Sequence, residues 1–238
     1  MDSLTQRLMM AATNQGDPMR LEFRTTLSSG TTVFIPLRGS ASCAVFWGDG
    51  TQTTVNTSAA SPVTHTYAAE GTYEVRIYGR LSAFGGNVGV RTGFEKLYRV
   101  ISFGQVGLVD LFNAFSQAVN LAGLPDTLPS TVTSLEDAFS FLSTFNLDIG
   151  SWDTSSVTNM DGLFLVCSAF NRDISGWNTS NVTDMSNMFN SAAAFNQDLS
   201  SWVTGLTSQP TDFSANATAW TNPAWRPYLS DGTTQINT

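Results

Sequence analysis

The sequence predicts a mainly β protein with short helices, in which a β-sandwich is followed by a short solenoid of 25-residue coils. Phenylalanines recur at this spacing at Phe145, Phe170 and Phe195. The first half instead alternates apolar and polar residues between turn signals. Residues 1–99 hold nine Arg/Lys and seven Asp/Glu, a net charge of +2, whereas residues 100–238 hold two Arg and twelve Asp/Glu, a net charge of −10. This change in net charge predicts two modules with a border near residue 99.

Composition excludes several classes of protein. Acidity in the second half repels phosphate backbones, which argues against a nucleic-acid partner. No stretch reaches the roughly 18 apolar residues of a membrane span, so we expect no membrane insertion. The apolar run Leu8–Ala12 is shorter than the roughly seven residues that a secretory signal needs. If the chain works outside a cell, we therefore expect that it either lost a leader or travels as part of a virus particle.

The first module is predicted to be a β-sandwich over residues 20–97, behind a polar arm at residues 1–19. Period-two alternation in Leu21–Thr25 and Tyr73–Ile77 is typical of strands with one buried face. The segment Gly48–Thr51 is a turn signal, because its glycines tolerate positive φ. Several short strands separated by such turns favour a sandwich.

Three segments of this module carry a resemblance to a known family. They are Trp47–Thr51 (WGDGT), His65–Tyr67 (HTY) and Gly71–Ile77 (GTYEVRI). In this order they resemble the PKD-type immunoglobulin-like domain. The resemblance implies a spacer or adhesion module rather than an enzyme.

Two polar residues of these motifs were weighed as functional candidates. His65 is the only histidine, and no acid or nucleophile partner is in view, so its place in the HTY motif predicts a structural role. Asp49 has two interpretations. Its carboxylate caps the amides of its own turn, or it binds a cation such as calcium, as in some relatives of this fold.

The second module, residues 98–238, consists of repeats. In each one, a short strand such as Val157–Thr158 is expected to precede a helix capped by Asn159. Met160 and Phe164 would supply the apolar face of that helix. Asn171 follows it, and an asparagine repeated once per coil can satisfy backbone groups of the turn. Irregular copies at both ends are what a stack needs to close its core.

The repeated pattern FNxDISxWxTSxVTxMxxMF resembles the BspA-type leucine-rich repeat of mycoplasma, bacterial, protist and phage surface proteins. The match is strong over residues 132–202 and weaker over residues 100–131. Together, the two resemblances imply an immunoglobulin-like sandwich followed by a leucine-rich-repeat-type solenoid, and a role at a surface.

Two columns of the repeat were considered as ligand-facing surfaces. The tryptophan column could stack on sugars, or it could form a buried ladder that seals the stack. The aspartate column would place like charges about 5 Å apart, so its carboxylates should bond backbone amides, or else share calcium or face a receptor. These columns consist of Trp152, Trp177 and Trp202, and of Asp148, Asp173 and Asp198.

No enzyme, cofactor or resident metal is expected. The sequence shows no base with a partnered nucleophile, no phosphate-binding loop and no His/Cys metal set. Cys43 and Cys167 fall in different modules and are interpreted as small buried side chains rather than as a disulfide.

The leading functional hypothesis is a non-enzymatic virion component of a bacteriophage, either a capsid decoration or a tail- or fibre-associated protein. It would attach to other virion proteins through the arm or the sandwich, and its repeats would contact a host glycan or receptor. The alternative is a bacterial surface adhesin, or secreted binding module, whose leader is missing.

Overall fold

A computed structural model describes residues 16–58, 62–86, 89 and 91–237. Most of the predicted arm, residues 1–15, therefore lies outside the described residues. The chain divides into a first unit of residues 1–84, 88–108 and 120–125 and a second unit of residues 85–87, 109–119 and 126–238. As predicted, the fold is mainly β, and its described helices are short. No described helix has the length and apolar character required to cross a membrane.

In its described residues, the first unit contains seven strands in two antiparallel sheets. Strands in the order β4-β3-β6-β1-β7 form the larger sheet, and β2 pairs with β5 in the smaller one. Short 3-10 helices occupy Thr25–Leu27 and Phe94–Lys96. The strands are β1 (Met19–Arg24), β2 (Thr32–Ile35), β3 (Leu37–Phe46), β4 (Gln52–Thr57), β5 (Val63–Thr66), β6 (Thr72–Phe84) and β7 (Leu97–Ser102).

Period-two alternation decides which side chains enter this core. Met19, Leu21 and Phe23 of β1 are fully buried, and the residues between them lie on the opposite face. The predicted sandwich ended at residue 97, but β7 begins there and pairs with β1. The sheet therefore continues beyond that residue.

The second unit is a stack of coils joined by parallel bridges. Bridges connect Ser134 with Asn159, and Asn159 with Asp184. Between them, backbone amides donate to the next coil, as from Met160 N to Asp184 O at 2.8 Å and from Phe164 N to Met188 O at 2.9 Å. Each coil thus satisfies part of its backbone through its neighbour.

Aromatic side chains fill the interior of the stack at the spacing that the sequence showed. Phe145 and Phe170 have ring centroids 5.7 Å apart, and Phe170 and Phe195 5.8 Å apart. All three side chains are buried. At the end of this ladder, Trp220 meets Phe195 at 88° and 5.0 Å, so a perpendicular ring closes the stack.

The helix predicted in each repeat is absent from the described coils, and turns take its place. Asn159 does not cap a helix: its Oδ1 accepts from Asp161 N, two residues on, at 2.9 Å. Gly162 and Val166 both have φ of 60°. A left-handed residue cannot continue a right-handed helix. Other coils repeat this conformation at Asp137 and Phe141, at Asn187 and Ser191, and at Asp212 and Asn216.

Candidate functional site

One edge of the stack carries a ladder of asparagines. The side-chain Oδ1 of Asn146 accepts from the backbone N of Asn171 at 3.1 Å, and that of Asn171 accepts from Asn196 N at 2.9 Å. An amide oxygen in each coil therefore satisfies a backbone donor of the next. This confirms the structural role predicted for the repeated asparagine.

The aspartate column lies just beyond this ladder, and its three residues are exposed. Each carboxylate accepts from the amide two residues on: Asp148 from Gly150 at 3.1 Å, Asp173 from Ser175 at 2.9 Å, and Asp198 from Ser200 at 2.9 Å. The backbone and side-chain hydrogen bonds from Ser175 lower the pKa of Asp173. Such bonds are the amide bonding that was the first of the predicted alternatives, and they stabilise the charged carboxylates.

An open groove runs between two coils beside this column. It is lined by Asp148, Gly150, Ser151, Arg172, Asp173, Ser175 and Gly176. The guanidinium of Arg172 is fixed by a bond from its Nε to the carbonyl of Asn146 at 2.7 Å. Carboxylates, a guanidinium and serine hydroxyls together offer both acceptors and donors, which suits a polyhydroxyl ligand better than an apolar one.

The tryptophan column offers no such surface, because its rings are buried. Trp152, Trp177 and Trp202 are only 3%, 4% and 1% exposed. The rings of Trp177 and Trp202 stack at 6.1 Å and 6°, and Trp177 Nε1 donates to the carbonyl of Ile149 at 3.1 Å. The geometry is therefore that of a buried ladder, and no ring face is left for a sugar.

Sequence reasoning missed a strip of carboxylates on the bridge side of the coils. This acidic strip consists of Asp110, Glu136, Asp137, Asp161 and Asp184. Burial and the neighbouring Asp161 and Glu136 raise the pKa of Asp137 to about 6. Burial, Asp161 and Asp110 likewise raise the pKa of Glu136. The signal was an acid at the bridge position, or two or three residues after it, in successive coils, which a search for identical residues overlooks.

In the first unit, Asp49 and His65 belong to a local aromatic cluster. Asp49 Oδ1 accepts from the backbone N and the hydroxyl of Thr51 at 2.9 and 2.6 Å, and its Oδ2 lies 2.7 Å from His65 Nε2. Partial burial acts to raise the pKa of Asp49, but these hydrogen bonds outweigh it and lower the pKa to about 2. His65 stacks on Trp47 at 4.8 Å. The bonds from Thr51 are those of the turn cap predicted for Asp49. The expectation that His65 has no acid partner was wrong, because Asp49 lies within hydrogen-bonding distance of its ring. A structural role for His65 stays a prediction.

Neither cysteine is placed for reactivity. Cys43 and Cys167 are free and buried, and burial raises the thiol pKa to about 11 and about 12, respectively. A thiol that stays protonated is a poor nucleophile and a poor metal ligand. Within the described part of the chain, no group of three or more His, Cys, Asp or Glu side chains is arranged to hold a metal ion.

The second, repeat-containing half of the chain is similar to a known protein family. Residues 108–225 match the model of a family described as Mycoplasma protein of unknown function, DUF285. This is consistent with the predicted mycoplasma or bacterial surface-repeat type, whereas no PKD or leucine-rich-repeat model matches. No curated protein matches the chain, and no solved structure matches it. The PKD resemblance therefore stays a prediction.

Proposed function

We propose that the chain is a non-enzymatic surface protein whose repeats bind a glycan through the edge that carries the asparagine ladder and the aspartate column. The match of residues 108–225 to a surface-repeat type of family supports the surface role. The observation that carries the glycan contact is the groove beside Arg172 and Asp173. There, exposed charged groups are held in fixed positions by backbone bonds within and between coils.

The rigidity of this edge favours binding over catalysis. Arg172 and Asp173 are both tied to backbone groups, so little side-chain entropy would be lost when a ligand binds. Sugar hydroxyls can exchange hydrogen bonds with a carboxylate and a guanidinium at once.

Binding of the labelled full chain to intact bacteria and to their extracted surface polysaccharides tests this function. We expect saturable binding to the polysaccharide, competed by the same polysaccharide in solution, with no new reducing ends released. Saturable binding that survives removal of all surface glycan would contradict the glycan assignment. The appearance of new reducing ends would contradict the proposal that the protein is not an enzyme.

Two locations fit a surface role. A bacterial cell surface is favoured by the family match, whose description refers to mycoplasma proteins. The bacteriophage virion is the second proposal, in which the chain decorates the capsid or belongs to the tail or fibre. Immunogold labelling of intact cells and of purified particles separates the two, because each location predicts label on one of them and not on the other.

A further inference from the structure

Arginines are concentrated on the outward face of the larger sheet in the first unit. Five of the eleven Lys and Arg residues of the chain lie there. Arg20 pairs with Arg76, and Arg99 pairs with Glu22, across neighbouring strands. Paired residues share one face of a sheet. We define this arginine face as Arg20 and Arg24 of β1, Arg76 and Arg80 of β6, and Arg99 of β7.

The carboxylates on this face do not neutralise it. Within the described strands of this sheet, Glu22 and Glu74 are the only acids, and Asp17 lines a groove together with Arg20 and Arg76. The five arginines of the face and these three carboxylates leave a charge of +2. Glu74 accepts from Arg20 and Arg76 at 2.9 and 2.6 Å. Among the described residues, no carboxylate lies within salt-bridge distance of Arg80. Arg80 is exposed, so it is free to meet an external anion.

The face also has features typical of interfaces. The guanidinium of Arg24 lies 3.4 Å above the ring of Tyr98, and Tyr78 packs edge-on against Phe46 at 5.5 Å. Tyrosine and arginine are enriched in protein–protein interfaces, where they bury large areas at low entropic cost.

The second unit of the same chain carries carboxylates whose charge is opposite to that of the arginine face. This unit carries twelve Asp/Glu and two Arg. Its acidic strip brings Glu136, Asp161 and Asp184 close enough on successive coils to repel one another. Among the described residues, no Lys or Arg lies within salt-bridge distance of these three carboxylates. Cations approaching the strip would therefore relieve an existing repulsion.

We propose that the arginine face of one copy docks on the acidic strip of a second copy. Guanidinium groups bind carboxylates in a bidentate manner, and arginine is the side chain best suited to such interface pairs. Because the two surfaces differ, the contact is heterologous, and a pair of copies keeps one arginine face and one acidic strip free. Association then proceeds head to tail, and the rotation between successive copies decides between a closed ring and an open filament.

Sedimentation velocity of the full chain over a concentration series tests this contact. The Debye length is about 30 Å at 0.01 M salt and about 3 Å at 1 M. We therefore expect a mass that grows with concentration at low salt and a monomer at high salt. Arg80→Glu should weaken association at least about tenfold, whereas Arg172→Glu, which makes the same change in net charge away from the arginine face, should not.

An exchange of charges between the two surfaces tests the contact even if one single variant folds poorly. Arg80→Glu and Asp161→Arg should each self-associate at least about tenfold more weakly than the wild type. Their mixture should associate as strongly as the wild type, and circular dichroism confirms that both variants are folded. The proposal is overturned by a wild-type chain that stays monomeric at 0.01 M salt, or by equal effects of Arg80→Glu and Arg172→Glu. Binding of the arginine face to an anionic polysaccharide without self-association also overturns it.

Discussion

At the scale of single residues, Gly150 allows two coils to approach closely. A Cβ at this position would lie 2.5 Å from the backbone oxygen of Asp173. Gly150→Ala should therefore force the coils apart and lower the free energy of unfolding by about 1–3 kcal/mol. Gly176→Ala is the matched control, since nothing lies within 4 Å of its Cβ. Chemical denaturation measures both, and an equal effect of the two substitutions would contradict this account.

The asparagine ladder gives a second prediction at this scale. Asn171 Oδ1 accepts from Asn196 N at 2.9 Å and from Gln197 Nε2 at 2.7 Å. Asn171→Ala removes this acceptor and should cost about 1 kcal/mol. Asn171→Asp retains it and should stay within about 0.5 kcal/mol of the wild type. If both variants unfold at the same denaturant concentration, the ladder does not stabilise the stack.

Single residues were predictable where one side chain repeats in every coil. Asn171 was assigned to backbone bonding from its recurrence, and its hydrogen bonds confirm this. The effect of Asp161 on Asp137 was not predictable, because Asp161 belongs to the next coil and to a different column. Acids that stand at different positions of successive coils are recognised as one strip only when the coils are aligned with one another.

At the scale of elements, the apolar spacing of Met160 and Phe164 predicted a helix, but the structure has turns. The spacing from i to i+4 places both side chains inward in either conformation. What decides between them is the left-handed backbone at Gly162 and Val166. Gly162 is a residue type that indicates a turn. Val166 does not indicate one, because a β-branched residue rarely adopts the left-handed conformation.

The acidic strip predicts how stability depends on pH. Asp137 has a folded-state pKa of about 6 against an ordinary value of 3.8, so the folded chain holds this proton more tightly. Its stabilising contribution is complete below about pH 4 and is lost as the pH rises through about 6. Because Asp137 is partly solvated, the change should be on the order of 1 kcal/mol. Thermal unfolding between pH 5 and 7.5 should show the repeat unit more stable at pH 5.

A substitution tests the origin of this pH dependence. Asp137→Asn removes the titrating group, and the equivalent Asn187 shows that asparagine adopts the same left-handed conformation, with φ of 55°. This variant should be more stable than the wild type at pH 7.5 and should have a flatter pH profile. Asp153→Asn is the control, because its serine hydrogen bonds lower its pKa out of this range. An unchanged profile for Asp137→Asn would contradict the assignment to the strip.

At the scale of the whole molecule, the two-module division followed from the step in charge and from the change of period. The border was less predictable, because the repeat spacing slips between residues 100 and 131. In the structure, β7 extends the sheet of the first unit, and residues 120–125 also belong to that unit. Arg99 pairs with Gly123 in a parallel bridge, a long-range contact that no local pattern encodes.

We propose that the polar edge of the stack, and not the tryptophan column, makes the functional contact. The double substitution Arg172→Gln with Asp173→Asn removes both charges while keeping the backbone contacts. Gln197 already makes the equivalent bond in the next coil, from its Nε2 to the carbonyl of Asn171 at 3.3 Å. Asparagine likewise keeps the acceptor for Ser175 N.

Equilibrium binding of this double variant to the polysaccharide that binds the wild-type chain is the most direct measurement. We predict at least about tenfold weaker binding, a loss of about 1.4 kcal/mol, at unchanged thermal stability. Asp153→Asn, which removes an exposed charge outside the groove, should bind like the wild type. Undiminished binding by the folded double variant would contradict the claim.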